Sequence, residues 1–194
     1  MELIIERSDS AVKVILISGK ARHGKDTFAE KFKEYAEKND KNVLTIRYGD
    51  ILKYVCKQYF NWDGVKDEHG RTMLQYVGTE IVRNNNPDAW VNCVIELVKG
   101  FRNLYDYVLI PDTRFPNEIS KWMGTGIDYI SVRINRYDVD GNVYDNGLNE
   151  KQKQHLSETA LDNNVFDYTI DNYDFNLPNL EIQAKELYEI IEEY

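Results

Sequence analysis

Only two cysteines, Cys56 and Cys93, and three histidines occur among the 194 residues. Two isolated cysteines build neither a disulfide framework nor a CxxC metal site, so both read as unpaired thiols. No two histidines share metal-ligand spacing. His23 and His69 read as solvent-exposed, and His155 falls in a long polar stretch. There is no G-x-S-x-G and no sign of a nucleophilic triad. No apolar run approaches the roughly 20 residues needed to span a bilayer. The opening MELIIERSDS is acidic and lacks a signal-peptide core, so the expectation is a cytoplasmic protein that contacts no membrane. Positive charge is scarce as well: 24 Lys and Arg stand against 33 Asp and Glu, a formal net charge of −9. That balance excludes broad non-specific nucleic-acid binding, which needs a basic face. It leaves anionic small molecules open, provided the few cations are gathered locally against the overall field.

What the chain does have is alternation. AVKVILISG (11–19) is a β-branched, nearly continuous apolar run and reads as a buried strand. From Lys25 onward Phe28, Phe32, Tyr35 and Ala36 recur on one helical face. Further strands are expected at 42–50, 105–112, 128–136 and 167–172, and helices at 51–60, 71–85, 88–101, 117–123 and 180–194, with Pro87 separating two of them. Strands alternating with helices predict one α/β domain over residues 1–194, a parallel five-stranded sheet between two helical layers. Residues 137–165 break the rhythm. Such a polar, aperiodic segment inside a compact domain is more often a functional lid than a packed element.

SGKARHGKDT (18–27) lies between the first strand and the first helix, and Gly19 to Lys25 fits G-x-x-x-x-G-K. Glycines allow the tight turn that points the N–H groups of Lys20, Ala21, Arg22, His23 and Gly24 at phosphate oxygens. The helix N-terminus adds positive potential, and Lys25 a mobile charge. Asp26 stands where the motif has Ser or Thr. Thr27, one position later, supplies a hydroxyl able to serve Mg²⁺. A glycine turn capped by Asp26 is the plainer alternative.

LIPDTR (109–114) is an apolar strand ending in Asp112, the usual shape of the second P-loop element, whose carboxylate acts on Mg²⁺. Arg114 falls at the carboxyl edge of the sheet, where open α/β folds bind ligands. Taken alone, the same residues describe a capped turn with a solvated arginine. Arg71 and Arg83 flank one helix, and Arg133 and Arg136 end a strand just before the polar segment. Phosphoryl transfer needs cations around the transferring group and exclusion of water, which such arginines supply; surface salt bridges are the alternative for each. Asp50, Lys53, Gln75 and Trp90 are candidates for an acceptor pocket, though a tryptophan such as Trp90 is more often a core residue than a base-stacking one. The 14 tyrosines fit a homodimer interface and an ordinary surface alike.

In order and spacing, SGKARHGKDT, GRTMLQYVGTEIVRNNNPDAW, YVLIPDTRFPNEI, VRINR, HLSETAL and YTIDN resemble the phage-type deoxynucleoside monophosphate kinases. The resemblance runs from residue 13 into the final helix, and extends more distantly to the animal-type phosphomevalonate kinases. It implies an adenylate-kinase-like P-loop core and transfer of phosphate from ATP to a deoxynucleoside monophosphate. Carried over by position, Gly19, Gly24, Lys25, Asp26 and Thr27 would hold the ATP phosphates and Mg²⁺. Asp112 and Arg114 would act at the transferring group. Arg71, Gln75 and, more weakly, Arg83 would meet the acceptor over a helical region at 71–101, and Arg133 and Arg136 would serve a lid at 137–160. The TIDN turn, with Asp171 and Asn172, would border the adenine. A kinase of another small phosphate ester and an NTP-binding regulatory module remain the alternatives.

Overall fold

The computed structural model describes residues 11–173 and 176–193. The expectation drawn from residues 1–10 therefore lies outside the described residues. Five parallel strands, β1 (Lys13–Ser18), β2 (Val43–Thr45), β3 (Tyr107–Thr113), β4 (Asp128–Tyr137) and β5 (Tyr168–Tyr173), form one sheet in the order β2-β3-β1-β4-β5. Alternate residues of β1 feed opposite cores, as the two-residue period of a strand requires. Ile15 and Ile17 pack with Phe28 and Phe32 of α1 (Lys25–Lys38) and with Leu180, Ala184 and Leu187 of α8 (Leu177–Glu193). Val14 and Leu16 pack on the other face, with Tyr48 of α2 (Tyr48–Tyr59) and with Trp90, Val91 and Val94 of α4 (Ala89–Phe101). Burial on both faces explains why β1 and β3 read as unbroken apolar runs rather than alternating ones. Phe28 and Phe32 are wholly buried, each contributing about 1.5–3 kcal/mol of transfer free energy.

Three departures from the sequence expectations bear on the site. The second strand stops at Thr45, and Tyr48, Gly49 and Asp50, expected in that strand, open α2 instead. The cause is distant in sequence. The Asp112 carboxylate accepts from the Tyr48 N–H (3.1 Å) and the Gly49 N–H (2.8 Å), satisfying two of the orphan donors of a helix start. Asp112 reaches them from an irregularity in β3. Leu16 pairs with Ile110, but Ser18 pairs with Thr113, so one extra residue enters β3 around Pro111, which has no N–H to give the ladder.

The helix expected at 71–85 begins earlier, as α3 (Glu68–Gln75), because the Asp67 side chain caps the Gly70 N–H at 2.7 Å. It then continues as a π-helix, Tyr76–Arg83. The polar segment 137–165 is also more structured than its composition implies. Tyr137 bridges back to Val143, and two single-turn helices follow, α6 (Glu150–Lys153) and α7 (Leu156–Thr159). Asn149 and Gln152 form a capping box on α6, and the His155 side chain caps α7. Of the helix expected at 117–123, only α5 (Asn117–Ser120) is regular. Among the described residues, no helix is long and apolar enough to cross a membrane.

Candidate active site

At the carboxyl ends of β1, β3 and β4, the loop after β1 curls toward the start of α1. Gly19 is at φ 151°, and a Cβ there would lie 2.5 Å from the Ile134 carbonyl oxygen. Gly24, at φ 98°, is in a conformation that side chains resist. Lys25 folds back over the loop, its Nζ donating to the Lys20 carbonyl at 2.7 Å. It is buried, and desolvation, with the Arg114 charge beside it, brings its pKa down to about 7 against the pull of Glu158, Asp26 and Asp112. His23, expected at the surface, is buried instead. Its Nδ1 accepts from the Arg136 N–H, and burial, then the charges of Lys25, Arg133 and Lys20, lower its pKa to about 4, so it is neutral.

Beside the loop opens a cavity of about 400 Å³, within the usual range for a small-molecule site. Its walls carry eight basic residues, Arg22, Lys25, Arg47, Lys53, Lys66, Arg71, Arg83 and Arg114, and four acidic ones, Asp26, Asp112, Glu118 and Glu158. In a chain of net charge −9, this is local concentration of positive charge. Each carboxylate is already engaged. Asp26 pairs with Arg47 at 2.7 Å, and Asp112 caps α2. Glu118 pairs with Arg83 and accepts from the Arg114 and Phe115 N–H groups, while burial pushes its pKa up to about 7. Arg83 also lies 3.8 Å over the Phe115 ring.

Glu158, on α7, pairs with Arg114 and accepts from the Ala21 N–H of the loop at 2.9 Å. Burial works against its charge, but Arg114, the Ala21 N–H and Lys25 together hold its pKa below the usual value. A carboxylate thus sits on an N–H of the loop after β1, supported by the arginine that follows β3. Next to it, Asp162 pairs with Lys20 at 2.9 Å and Arg133 at 3.2 Å, and Arg22 donates to the Asn146 carbonyl at 2.9 Å. The segment between β4 and β5 is pinned across the loop by these contacts.

The predicted residues divide accordingly. Ala21, Arg22, Lys25, Asp26, Lys53, Arg71, Gln75, Arg83, Trp90, Asp112 and Arg114 line the cavity together. Asp50 does not; it is exposed and paired with Lys53. Gly19, Gly24 and Thr27 shape the loop and the helix start without lining the cavity, and Lys20 lines a second cavity of about 260 Å³ with Tyr144, Asn146, Lys153 and Glu158. Arg133 is turned to Ser18, Asn135 and Asp162. Arg136 donates to the Arg22 carbonyl and stacks 3.5 Å over Tyr144. Asp171 and Asn172, expected in a turn, lie within β5, with Asp171 exposed and Asn172 wholly buried. Trp90 serves both readings: it packs in the core under α2 and faces the cavity.

Sequence reasoning missed Arg47, Lys66, Thr79, Phe115, Glu118, His155 and Glu158 as wall residues. Glu158 carried one usable signal, its place in the H-x-S-E run at 155–158. Lys66 carried none.

Of the four cavity carboxylates, Asp112 is the one with no ion-pair partner among the described residues. Asp112 lines the cavity, and burial raises its pKa despite the Gly49 N–H and Arg114, the condition of a carboxylate short of positive charge. The described residues contain no group of three or more metal-ligating side chains. Such a site suits Mg²⁺ held mainly by a ligand's phosphates. Thr27 is not among the residues that line the cavity.

The sequence matches no protein-family model and no curated protein. Solved structures do match the fold. The APS kinase CysC of Mycobacterium tuberculosis, as a Cys556Ala mutant, superposes with a TM-score of 0.52 at 13% identity, covering 94% of this chain and 98% of that one. The same enzyme in complex with AMPPNP and APS gives 0.51 at 13% identity over the same shares. A protein designated APE1195 gives 0.50 at 11% identity, over 97% and 98%. The fold, a parallel five-stranded sheet between helices, is shared with these solved structures.

Proposed function

We propose that this chain transfers the terminal phosphoryl group of ATP to the phosphate of a deoxynucleoside monophosphate. One observation carries the reading. A single cavity joins the phosphate loop at Lys25 to two further cations, Lys66 and Arg71, that have no carboxylate within ion-pair distance among the described residues. Asp112 and Arg114 lie on the wall between. A site for one nucleotide needs no second unpaired cationic cluster; a phosphate acceptor does. Leu52, Leu74 and Trp90 add apolar wall of the kind a base requires. The APS kinase neighbour holds AMPPNP and APS together on the same fold, which supports two anionic ligands here.

In this reading ATP lays its phosphates along residues 19–25 and displaces the Glu158 carboxylate from the Ala21 N–H. The acceptor's phosphate rests on Arg71 and Lys66. One of its oxygens, already anionic near neutral pH, attacks the terminal phosphorus in line, so no protein base is needed. Lys25 and Arg114 stabilise the spreading charge. Asp112 would face a Mg²⁺ carried by the nucleotide, which would supply further neutralisation when bound. The segment at 137–160, with Arg133 and Arg136 at its root, serves as the lid that excludes water.

The test is ADP release from MgATP against dAMP, dGMP, dCMP, dTMP, AMP, GMP and mevalonate 5-phosphate. Turnover that depends on a deoxynucleoside monophosphate is the expected result. Turnover with mevalonate 5-phosphate alone would keep the transfer chemistry and replace the acceptor. Slow ATP loss indifferent to every acceptor would overturn the reading in favour of a regulatory NTP-binding module.

A further inference from the structure

The wall of the cavity that faces the loop is built on the α3–π-helix junction. In an α-helix, 3.6 residues per turn make positions four apart drift around the axis. In the π-helix Tyr76–Arg83 hydrogen bonds run from i to i+5, more than four residues enter each turn, and positions four apart nearly eclipse. Gln75, Thr79 and Arg83 therefore stand in one straight row, and all three line the cavity. The π-helix is the less stable form and persists in natural proteins mostly at functional sites.

The row is anchored at one end and unanswered at the other. Arg83 is held by Glu118, Phe115 and the Pro87 carbonyl. Gln75 and Thr79 make no side-chain hydrogen bond to any described residue, although Thr79 is only 8% exposed. Both side chains open onto the cavity, where a ligand can meet them. The wall beside them is fixed by one hydrogen bond and one close contact. Trp90 donates its Nε1–H to the Gly78 carbonyl at 3.1 Å, and a Cβ on Gly78 would meet the Leu52 side chain at 2.7 Å, so a larger residue there would push Leu52 aside. An apolar slot with two hydrogen-bonding side chains along one edge is the complement of a planar heterocycle. A short aliphatic phosphate ester offers no such edge.

We infer that Gln75 and Thr79 are specificity-determining residues that read the donor–acceptor edge of the acceptor's nucleobase, lined up for it by the π-helical turn. The inference rests on the proposed nucleotide acceptor. An amide and a hydroxyl can each donate or accept, so together they match a base edge presenting adjacent donor and acceptor groups. Discrimination then comes from leaving one of them unpaired with the wrong base.

The experiment measures kcat/KM for the four deoxynucleoside monophosphates in the wild type, Thr79→Val, Gln75→Leu and Thr79→Ser, with melting temperatures alongside. For the preferred base, Thr79→Val and Gln75→Leu should each lose about 10–100-fold. The other bases should lose less, so that the ranking compresses. Thr79→Ser should restore most of the activity, and the KM for ATP should move less than about twofold in all variants. A wild type that treats the four bases alike, or variants that lower all four in equal proportion, would overturn the inference while leaving a nucleotide kinase standing. A wild type active only on a non-nucleotide phosphate ester would bring down the proposed function, and the inference with it.

Discussion

On the loop side of the cavity, the chain answers its own cations. Arg114 holds Glu158, whose second oxygen takes the Ala21 N–H, and Lys20 and Arg133 share Asp162. On the α3 side, Lys66 and Arg71 face the cavity with no carboxylate at ion-pair distance among the described residues. On the proposed function, the two halves would bind anions under different terms. An acceptor phosphate adds to what is there. A nucleotide phosphate on the loop must replace a carboxylate already bound, so its affinity is a difference between two charge-assisted interactions. In exchange, Arg114 is already held in place beside the loop.

The comparison breaks most visibly at Lys25. Lys25→Met should lower turnover by about 10³-fold or more, the scale at which preorganised charge acts on a transferring group. Its melting temperature should hold or rise. Burial keeps the folded-state pKa below the unfolded one, so the charged lysine costs stability fully below about pH 7 and progressively less as pH climbs toward its unfolded value. A melting temperature that drops with activity would show Lys25 to be structural instead.

Arg71→Ala should then separate the halves. An arginine–phosphate contact is worth about 1.5–3 kcal/mol, so kcat/KM for the acceptor should fall about 10–100-fold while ADP binding is unchanged. Equal losses for both ligands would erase the distinction. Glu158→Gln should work in the other direction. It keeps the shape and removes the charge that competes for the loop, so MgADP should bind roughly tenfold more tightly. Weaker binding would mean that Glu158 only supports the loop.

The smallest effect is a proton. At pH 8 a lysine with pKa near 7 is mostly neutral, and a phosphate on the loop recharges it. MgADP binding at pH 8 should take up a fraction of a proton, read as a dependence of the calorimetric heat on buffer ionisation. The uptake should be small at pH 6 and absent in Lys25→Met. Heats independent of buffer would contradict the depressed pKa.

The same division marks what the sequence could reveal. The loop half is local. Gly19, Gly24 and Lys25 lie within one turn, and their spacing encodes backbone geometry that the structure reproduces, down to the Ile134 carbonyl that excludes a Cβ from Gly19. The five strands and their helical layers are likewise written in short apolar runs. The acceptor half is assembled from distant pieces. Asp112 starts α2 across 63 residues of chain, which ended the second strand early. His23 looked exposed because nothing nearby shows that the Arg136 N–H would claim it. Lys66 sits in a stretch with no period, and an amphipathic pattern cannot distinguish a π-helix from an α-helix over Tyr76–Arg83.

The central claim is that the two halves form one line of transfer. A dinucleotide in which adenosine and a deoxynucleoside are joined by five phosphates would span both at once. Titration calorimetry should find it bound at least about a hundredfold more tightly than ADP, the gain expected when two linked ligands fit together. An analogue that binds no better than ADP would contradict the account, because the loop and the α3 cations would then not serve a single reaction.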